Sequence, residues 1–141
     1  DLGGGGAAAR RVSFRLRLAA ALLRALARPA LARTREPAGA ATDFERWAPR
    51  VLRAPPFARD VPRPLGGVPC HWIAAGPVEE GRVVLWLHGG AFLSGSGRTH
   101  GAMLARLAKL ARTEVACPDY RLLQQAPFPA ALDDCHAAWH A

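Results

Sequence analysis

The stretch Val83-Val-Leu-Trp-Leu87, followed directly by His88-Gly-Gly-Ala-Phe92, decides the fold of this chain. Five consecutive apolar residues without alternation are typical of a strand that is covered on both faces, as in a parallel sheet. Open α/β folds place their ligand sites at the carboxyl edge of such a sheet, where glycine lets the backbone turn with positive φ. The stretch therefore predicts a buried parallel strand that leads into a candidate active-site loop.

The segments on either side of this stretch complete an α/β pattern. A strand is expected at 68–73 after the Gly66-Gly67 turn, a second short buried strand at 115–117, and a final helix after Pro129. Thr99 can cap an amphipathic helix between the two later strands. The apolar stripe of that helix comprises Met103, Leu104, Leu107, Leu110 and Ala111. Alternating strands and helices predict an α/β fold with a mostly parallel sheet and flanking helices.

Length and composition exclude several classes of protein. The chain has 141 residues, of which 50% are hydrophobic, so it can form one domain with a sizeable core. No apolar run approaches the length of about 18 residues that spans a membrane. The three cysteines lack CxxC spacing, which argues against a disulfide scaffold and a cysteine-rich zinc site. We expect a protein of the reducing cytoplasm.

The net charge of +8 is concentrated at the start of the chain. Residues 1–35 contain eight Arg and one acidic residue, whereas residues 36–141 contain eleven basic and ten acidic residues. Nucleic-acid binding needs Lys and Arg spread over a docking face, so this distribution predicts no nucleic-acid partner.

The first 56 residues are expected to precede the α/β domain, which we place at 57–141. Residues 1–9 are nearly all Gly and Ala and predict a flexible lead-in. Residues 10–28 separate apolar and cationic positions with helical spacing. The pattern favours packing on the chain's own domain, with weak membrane-surface contact and organelle targeting as alternatives. A second helix is expected after Thr42-Asp-Phe-Glu45, which fits a capping box.

Four sequence blocks, in order, resemble the N-terminal half of the hormone-sensitive-lipase-like family of α/β-hydrolases. The blocks are His88-Gly-Gly-Ala-Phe92, Gly95-Ser-Gly97 with Thr99-His100, Asp119-Tyr-Arg-Leu122, and Pro127-Phe-Pro-Ala-Ala-Leu-Asp-Asp134. The resemblance covers roughly residues 61–141. It implies an N-terminal portion of an α/β-hydrolase fold, preceded by helical cap segments over residues 10–56.

The resemblance also implies roles for the loop residues. Gly90 and Ala91 match the second and third glycines of the family motif, whose backbone N–H groups form the oxyanion hole. Gly89 would shape the turn, and His88 would brace the loop through hydrogen bonds without acting as the catalytic base. Phe92 and Trp47 are candidates for lining the substrate pocket.

Two departures from the family pattern bear on this loop. Ala91 stands where the family often has a third glycine, which is tolerable if the position does not need positive φ. Leu123-Gln-Gln125 stands where the family usually continues with Ala-Pro-Glu, so a proline and a carboxylate are missing near the active-site face. Asp119, Tyr120 and Arg121 are expected to form a structural polar network.

The chain itself shows no catalytic nucleophile. Its only serines are Ser13, Ser94 and Ser96, and none lies in a Gly-x-Ser-x-Gly elbow. We therefore expect a fragment that carries the oxyanion-hole loop, with the nucleophile, acid and base of the triad located outside these 141 residues. His136 and His140 lie on one helix face, but the sequence there lacks the Glu that an HExxH zinc motif needs, so no metal site is predicted.

The resemblance implies a carboxylic-ester hydrolase that acts on a small-molecule ester by serine acyl transfer, without a cofactor. A non-catalytic protein that binds a small ligand on the same fold is the alternative. A peripheral membrane module driven by the basic leader is a third, weaker hypothesis. The oligomeric state cannot be read from these residues.

Overall fold

The computed structural model describes residues 13–25 except 15, 19 and 23, then residues 45–46 and 53–141. The backbone forms two compact units, residues 1–35 and residues 36–141. The predicted lead-in and most of the predicted cap segment lie outside the described residues. In the first unit, the described residues from 14 to 25 are helical, as their periodicity predicts. No described helix is long and apolar enough to cross a membrane.

The second unit contains a four-stranded sheet and two helices. The elements are β1 (Ala58–Pro62), β2 (Cys70–Ala75), β3 (Val83–Leu85), α1 (Gly97–Ala111), β4 (Glu114–Pro118) and α2 (Ala130–His140). The strand order is β1-β2-β4-β3. Both pairings of β2 are antiparallel, and β3 pairs with β4 in parallel. The predicted α/β class is confirmed.

Parallel pairing is confined to β3 and β4 in the described sheet, which is mixed rather than mostly parallel. β1 and β2 are joined by a tight turn, and strands joined in this way pair antiparallel. β3 is also shorter than predicted and lies at an edge, where Val83 and Leu87 are each about half exposed. The strand covered on both faces is β4, where Val115, Ala116 and Cys117 are fully buried as predicted.

The turn between β1 and β2 is built on two glycines. The backbone of Leu65 pairs with that of Val68 through two hydrogen bonds of 2.9 and 3.0 Å. Gly66 and Gly67 between them have φ of +60° and +81°. Positive φ at both central residues is the geometry of a type I′ hairpin turn, which glycine adopts without strain. The turn packs against α2, since a Cβ on Gly66 would lie 2.1 Å from the Ala137 carbonyl oxygen.

The N-cap of α1 lies three residues earlier than predicted. Ser96 is the N-cap, and it forms a capping box with Thr99, which occupies the third helical position. The buried face of α1 is formed by Leu104, Ala105 and Ala108, which pack on β2 and β4 together with Ile73, Val115 and Cys117. Two residues of the predicted stripe are exposed, Met103 and Leu110. The small alanines bring the helix close to the sheet and shift its buried face away from these two residues.

The packing of Gly66 predicts a difference between two adjacent substitutions. Gly67→Ala meets no neighbouring atom, so it should lower the free energy of unfolding by only about 1 to 2 kcal/mol, through its left-handed backbone. Gly66→Ala adds a clash with the α2 backbone, so it should cost about 1 to 3 kcal/mol more. Chemical unfolding of the two variants tests this ranking, which equal losses would contradict.

Candidate functional site

The loop that leaves the carboxyl end of β3 spans residues 88–94 and is called the glycine loop below. Its centre is a tight turn, because the Gly90 carbonyl accepts hydrogen bonds from Leu93 N at 3.0 Å and Ser94 N at 3.1 Å. The turn places the backbone of residues 89–92 at the exposed carboxyl edge of the sheet. This is the edge where open α/β folds bind their ligands.

Three consecutive residues of this loop have positive φ. The values are +137° at Gly90, +54° at Ala91 and +59° at Phe92. A Cβ on Gly90 would lie 1.9 Å from the Ser94 carbonyl oxygen, whereas a Cβ on Gly89 would meet nothing. The condition under which alanine would be tolerated without strain at position 91 is not met, because the left-handed backbone of the turn continues from Gly90 to Ala91. The requirement for glycine falls on Gly90 rather than on Gly89.

The N–H groups of Gly90 and Ala91 are available to a ligand. Both residues are exposed, and no acceptor in the described part of the chain takes either N–H. Backbone N–H groups are strong donors that are nearly always paired when buried, so two unpaired donors at an exposed turn suit an incoming negative oxygen. This arrangement can bind an oxyanion or a polarised carbonyl.

His88 lies buried beneath the loop and is 4% exposed. Its Nδ1 lies 3.1 Å from the Gly89 carbonyl oxygen and 3.2 Å from the Tyr120 hydroxyl oxygen. The Tyr120 hydroxyl donates to the His88 carbonyl, and the two rings stack with centroids 4.2 Å apart. Burial lowers the pKa of His88 below its usual value, which favours the neutral ring. Its Nε2 has no partner among the described residues. His88 thus contacts both Gly89 of the loop and Tyr120, which follows β4.

An apolar cavity of about 410 Å³ adjoins the loop. Its lining includes the large apolar or aromatic residues Phe92, Tyr120, Leu123, Phe128 and Leu132. Phe92 is 54% exposed, so its ring is free to contact a ligand. Trp47, the other predicted pocket residue, lies outside the described residues.

The segment that departs from the family pattern contacts the glycine loop directly. Leu123 N donates to the Phe92 carbonyl at 2.9 Å, and Gln124 Nε2 donates to the Leu93 carbonyl at 2.7 Å. The Gln125 side chain accepts from Leu122 N at 2.8 Å and closes the turn of this segment. The glutamines therefore supply side-chain hydrogen bonds where the family has a proline and a carboxylate.

Glu45 also reaches this region, a contact that the sequence did not predict. Its Oε1 accepts from Gly95 N at 2.7 Å, and its Oε2 accepts from the Ser96 hydroxyl at 2.9 Å. The local pattern predicted that this carboxylate would cap its own helix. A contact across fifty residues leaves no signal in the local sequence, so only the tertiary structure shows it.

The expected polar network of Asp119, Tyr120 and Arg121 is present. Asp119 Oδ1 accepts from Gly97 N at 2.7 Å, at the start of α1. Arg121 donates to both oxygens of Asp134, which lowers the pKa of that carboxyl group. Each residue connects the end of β4 to another part of the chain, which is the kind of contact expected of a structural network.

His136 and His140 are exposed on α2, as expected for a solvated helix face. Their rings lie edge to face, with centroids 6.4 Å apart. Across the described residues, no group of His, Cys, Asp or Glu has a geometry that could hold a metal ion.

Comparison with known proteins agrees with this geometry. Residues 84–141 match the family model described as the alpha/beta hydrolase fold. Esterase LipU of Mycobacterium tuberculosis is 47% identical over 55 residues, which are 39% of this chain and 18% of LipU. A solved structure of the hormone-sensitive-lipase homologue EstE7, from a metagenome library, has 35% identity and a TM-score of 0.68. That match covers 74% of this chain and 35% of EstE7.

The chain belongs to the hormone-sensitive-lipase-like family of α/β-hydrolases. A second solved structure, a hormone-sensitive lipase from a metagenome library, has a TM-score of 0.70 and 33% identity and covers 77% of this chain. Esterase LipI of Mycobacterium tuberculosis is 38% identical over 88 residues. The chain spans only 18 to 28% of the length of these two mycobacterial relatives.

The turn geometry predicts that alanine lowers the stability of the chain at one glycine of this loop and leaves it nearly unchanged at the other. Gly90→Ala places a Cβ against the Ser94 backbone and should lower the free energy of unfolding by about 1 to 3 kcal/mol. Gly89→Ala is its matched control and should change that energy by no more than about 0.5 kcal/mol, because the added Cβ meets open space. Chemical unfolding of both variants checks the prediction, and a greater loss in the Gly89 variant would refute it.

Burial of His88 predicts a dependence of stability on pH. The pKa of a histidine in the unfolded chain is about 6.5, and that of folded His88 is lower. The unfolded state therefore binds more protons as the pH falls through 6.5 towards the folded value, so stability declines in that window and is full above it. The free energy of unfolding is measured at pH 8 and pH 5 for the parent protein and for His88→Gln. We expect it to fall less between the two pH values in the variant. Identical declines would exclude His88 as the cause.

Proposed function

We propose that the protein to which this chain belongs hydrolyses carboxylic esters by serine acyl transfer, and that this chain supplies the oxyanion hole. The observation that carries the proposal is that Gly90 and Ala91 are exposed just beyond the carboxyl end of β3 and that their N–H groups have no acceptor among the described residues. The esterase names of the curated relatives support the same reaction class.

In this reaction a serine attacks the ester carbonyl, and negative charge develops on its oxygen. Two N–H donors at about 2.7–3.1 Å stabilise that oxyanion more than the neutral carbonyl, and loss of one costs about 2.7–4 kcal/mol of transition-state stabilisation. Gly90 and Ala91 take this role, with His88 and Gly89 supporting the loop. Collapse of the intermediate breaks the bond to the alkoxy oxygen, which leaves as the alcohol, and gives an acyl-enzyme; water then attacks the acyl-enzyme and releases the carboxylic acid and the free serine.

The serine, acid and base are proposed to come from residues outside this chain. None of its three serines lies in a Gly-x-Ser-x-Gly elbow. Ser94 N is held in the glycine loop, and Ser96 caps α1. Phe92 and Trp47 are proposed to line the acyl pocket, because Phe92 follows the oxyanion donors and borders the apolar cavity. Acyl transfer of this kind requires no cofactor.

The test uses the full-length protein and p-nitrophenyl butyrate. We expect turnover that a serine-directed phosphonate abolishes, with one serine labelled per active site. The 141-residue chain alone should show neither turnover nor labelling. A full-length protein that binds butyrate esters without turnover or labelling would instead indicate the non-catalytic binding protein.

The role of Ala91 is tested in the same protein by replacing this residue with lactate, which removes the N–H and keeps the side chain. The lost donor should lower kcat by about 10²- to 10³-fold and change KM much less. Ala91→Gly is the matched control, because it retains the N–H and accepts φ of +54° without strain. Thermal unfolding of both variants checks that they fold, and near-normal kcat in a folded lactate variant would remove Ala91 from the oxyanion hole.

A further inference from the structure

Glu45 lies outside the α/β core and forms hydrogen bonds with two residues of the site region. Both of its carboxylate oxygens are used, one by the Gly95 N–H at 2.7 Å and the other by the Ser96 hydroxyl at 2.9 Å. Hydrogen bonds to an ionised carboxylate are about twice as strong as those between neutral groups. The contact thus fixes two consecutive residues at the end of the glycine loop.

Gly95 transmits this constraint to the loop through backbone contact. Its φ is +109°, and a Cβ at this position would lie 2.3 Å from His88 Nδ1 and 2.5 Å from the Gly89 carbonyl oxygen. The Gly95 backbone therefore lies directly against the two residues that precede the proposed oxyanion donors. A shift of Gly95 would displace His88 and Gly89 as well.

Ser96 has one proton left for Glu45. Its N–H donates to Thr99 Oγ1 at 2.9 Å, and its Oγ accepts from Thr99 N at 3.2 Å. The hydroxyl proton is directed to the carboxylate in this arrangement. The negative charge also lies at the N-terminus of α1, where the helix dipole favours an anion.

We propose that Glu45 is a positioning residue for the oxyanion hole, holding the glycine loop in its donor geometry through Gly95 and Ser96. This inference rests on the proposed ester hydrolysis. Loss of the carboxylate leaves Gly95 N–H and the Ser96 hydroxyl without their acceptor, and the loop relaxes. The N–H groups of Gly90 and Ala91 then form poorer hydrogen bonds to the developing oxyanion. Substrate binding in the acyl pocket is little affected, so the loss falls on kcat.

The experiment compares four variants of the full-length protein with the parent. Glu45→Gln keeps the side-chain length and one acceptor oxygen. Glu45→Asp keeps the negative charge but is one methylene shorter, so its oxygens lie farther from Gly95 and Ser96. Glu45→Ala loses the carboxylate altogether. Glu80→Ala is the matched control, since it removes an exposed carboxylate from the turn before β3. The measurements are kcat and KM for p-nitrophenyl butyrate, the thermal unfolding midpoint, and hydrogen exchange of a peptide covering residues 88–97.

We expect Glu45→Asp and Glu45→Ala to lower kcat by about 10- to 100-fold, as a misplacement of about 1 Å can do. KM should change less than about threefold, because the pocket contacts remain. Glu45→Gln keeps an acceptor for the Gly95 N–H and should lower kcat less than Glu45→Ala does, and Glu80→Ala should match the parent. Exchange in residues 88–97 should be faster in the Asp and Ala variants only.

Different results overturn the two proposals. A parent protein that neither hydrolyses the ester nor reacts with the phosphonate ends the proposed function, and the exchange data alone then show whether Glu45 orders the loop. An active parent whose folded Glu45→Ala variant keeps its kcat overturns the positioning role. The positioning role is also overturned if Glu45→Asp keeps the kcat of the parent, or if the Glu45 variants change the thermal unfolding midpoint but not kcat.

Discussion

The close approach of the Gly95 backbone to His88 and Gly89 is the constraint on which the glycine loop depends. No strand ladder orders residues 88–94, so the path of the loop start depends on Gly95 lying against His88 and Gly89. Any side chain at Gly95 would fill that space. The same approach sets where α1 begins, because Ser96 follows Gly95 directly and caps the helix. One backbone contact therefore couples the candidate site to the core helix.

β4 supplies the rigid support for this arrangement. Its three central residues are fully buried between β2 and β3. The three residues that follow the strand each connect it to a different part of the chain: Asp119 to the start of α1, Tyr120 to His88 of the glycine loop, and Arg121 to α2. The Tyr120 hydroxyl group is buried, so leaving it without a partner would cost about 1 to 3 kcal/mol. The end of β4, which contacts the glycine loop through Tyr120, is thus also bound to α1 and α2.

The loop itself combines backbone strain with open donors. Ala91 and Phe92 hold left-handed backbone that costs non-glycine residues about 1 to 3 kcal/mol each. Hydrogen bonds from Leu123 and Gln124 to the carbonyl groups of residues 92 and 93 offset part of this cost. The segment that contains Leu123 and Gln124 therefore supports the glycine loop through these two hydrogen bonds. Strain concentrated beside unpaired N–H groups is typical of a functional site.

The sequence by itself determined the α/β class, the buried strand at 115–117, the glycine turn at 66–67 and the position of the glycine loop, because local patterns encode each of them. It could not determine the left-handed backbone of Ala91, which the turn around Gly90 imposes. It also could not show that Glu45 reaches Gly95, since residues fifty positions apart leave no periodic signal. Local chemistry thus specified which residues form the loop and the strands. Only the packing of distant backbone groups decided the shape of the loop and what holds it.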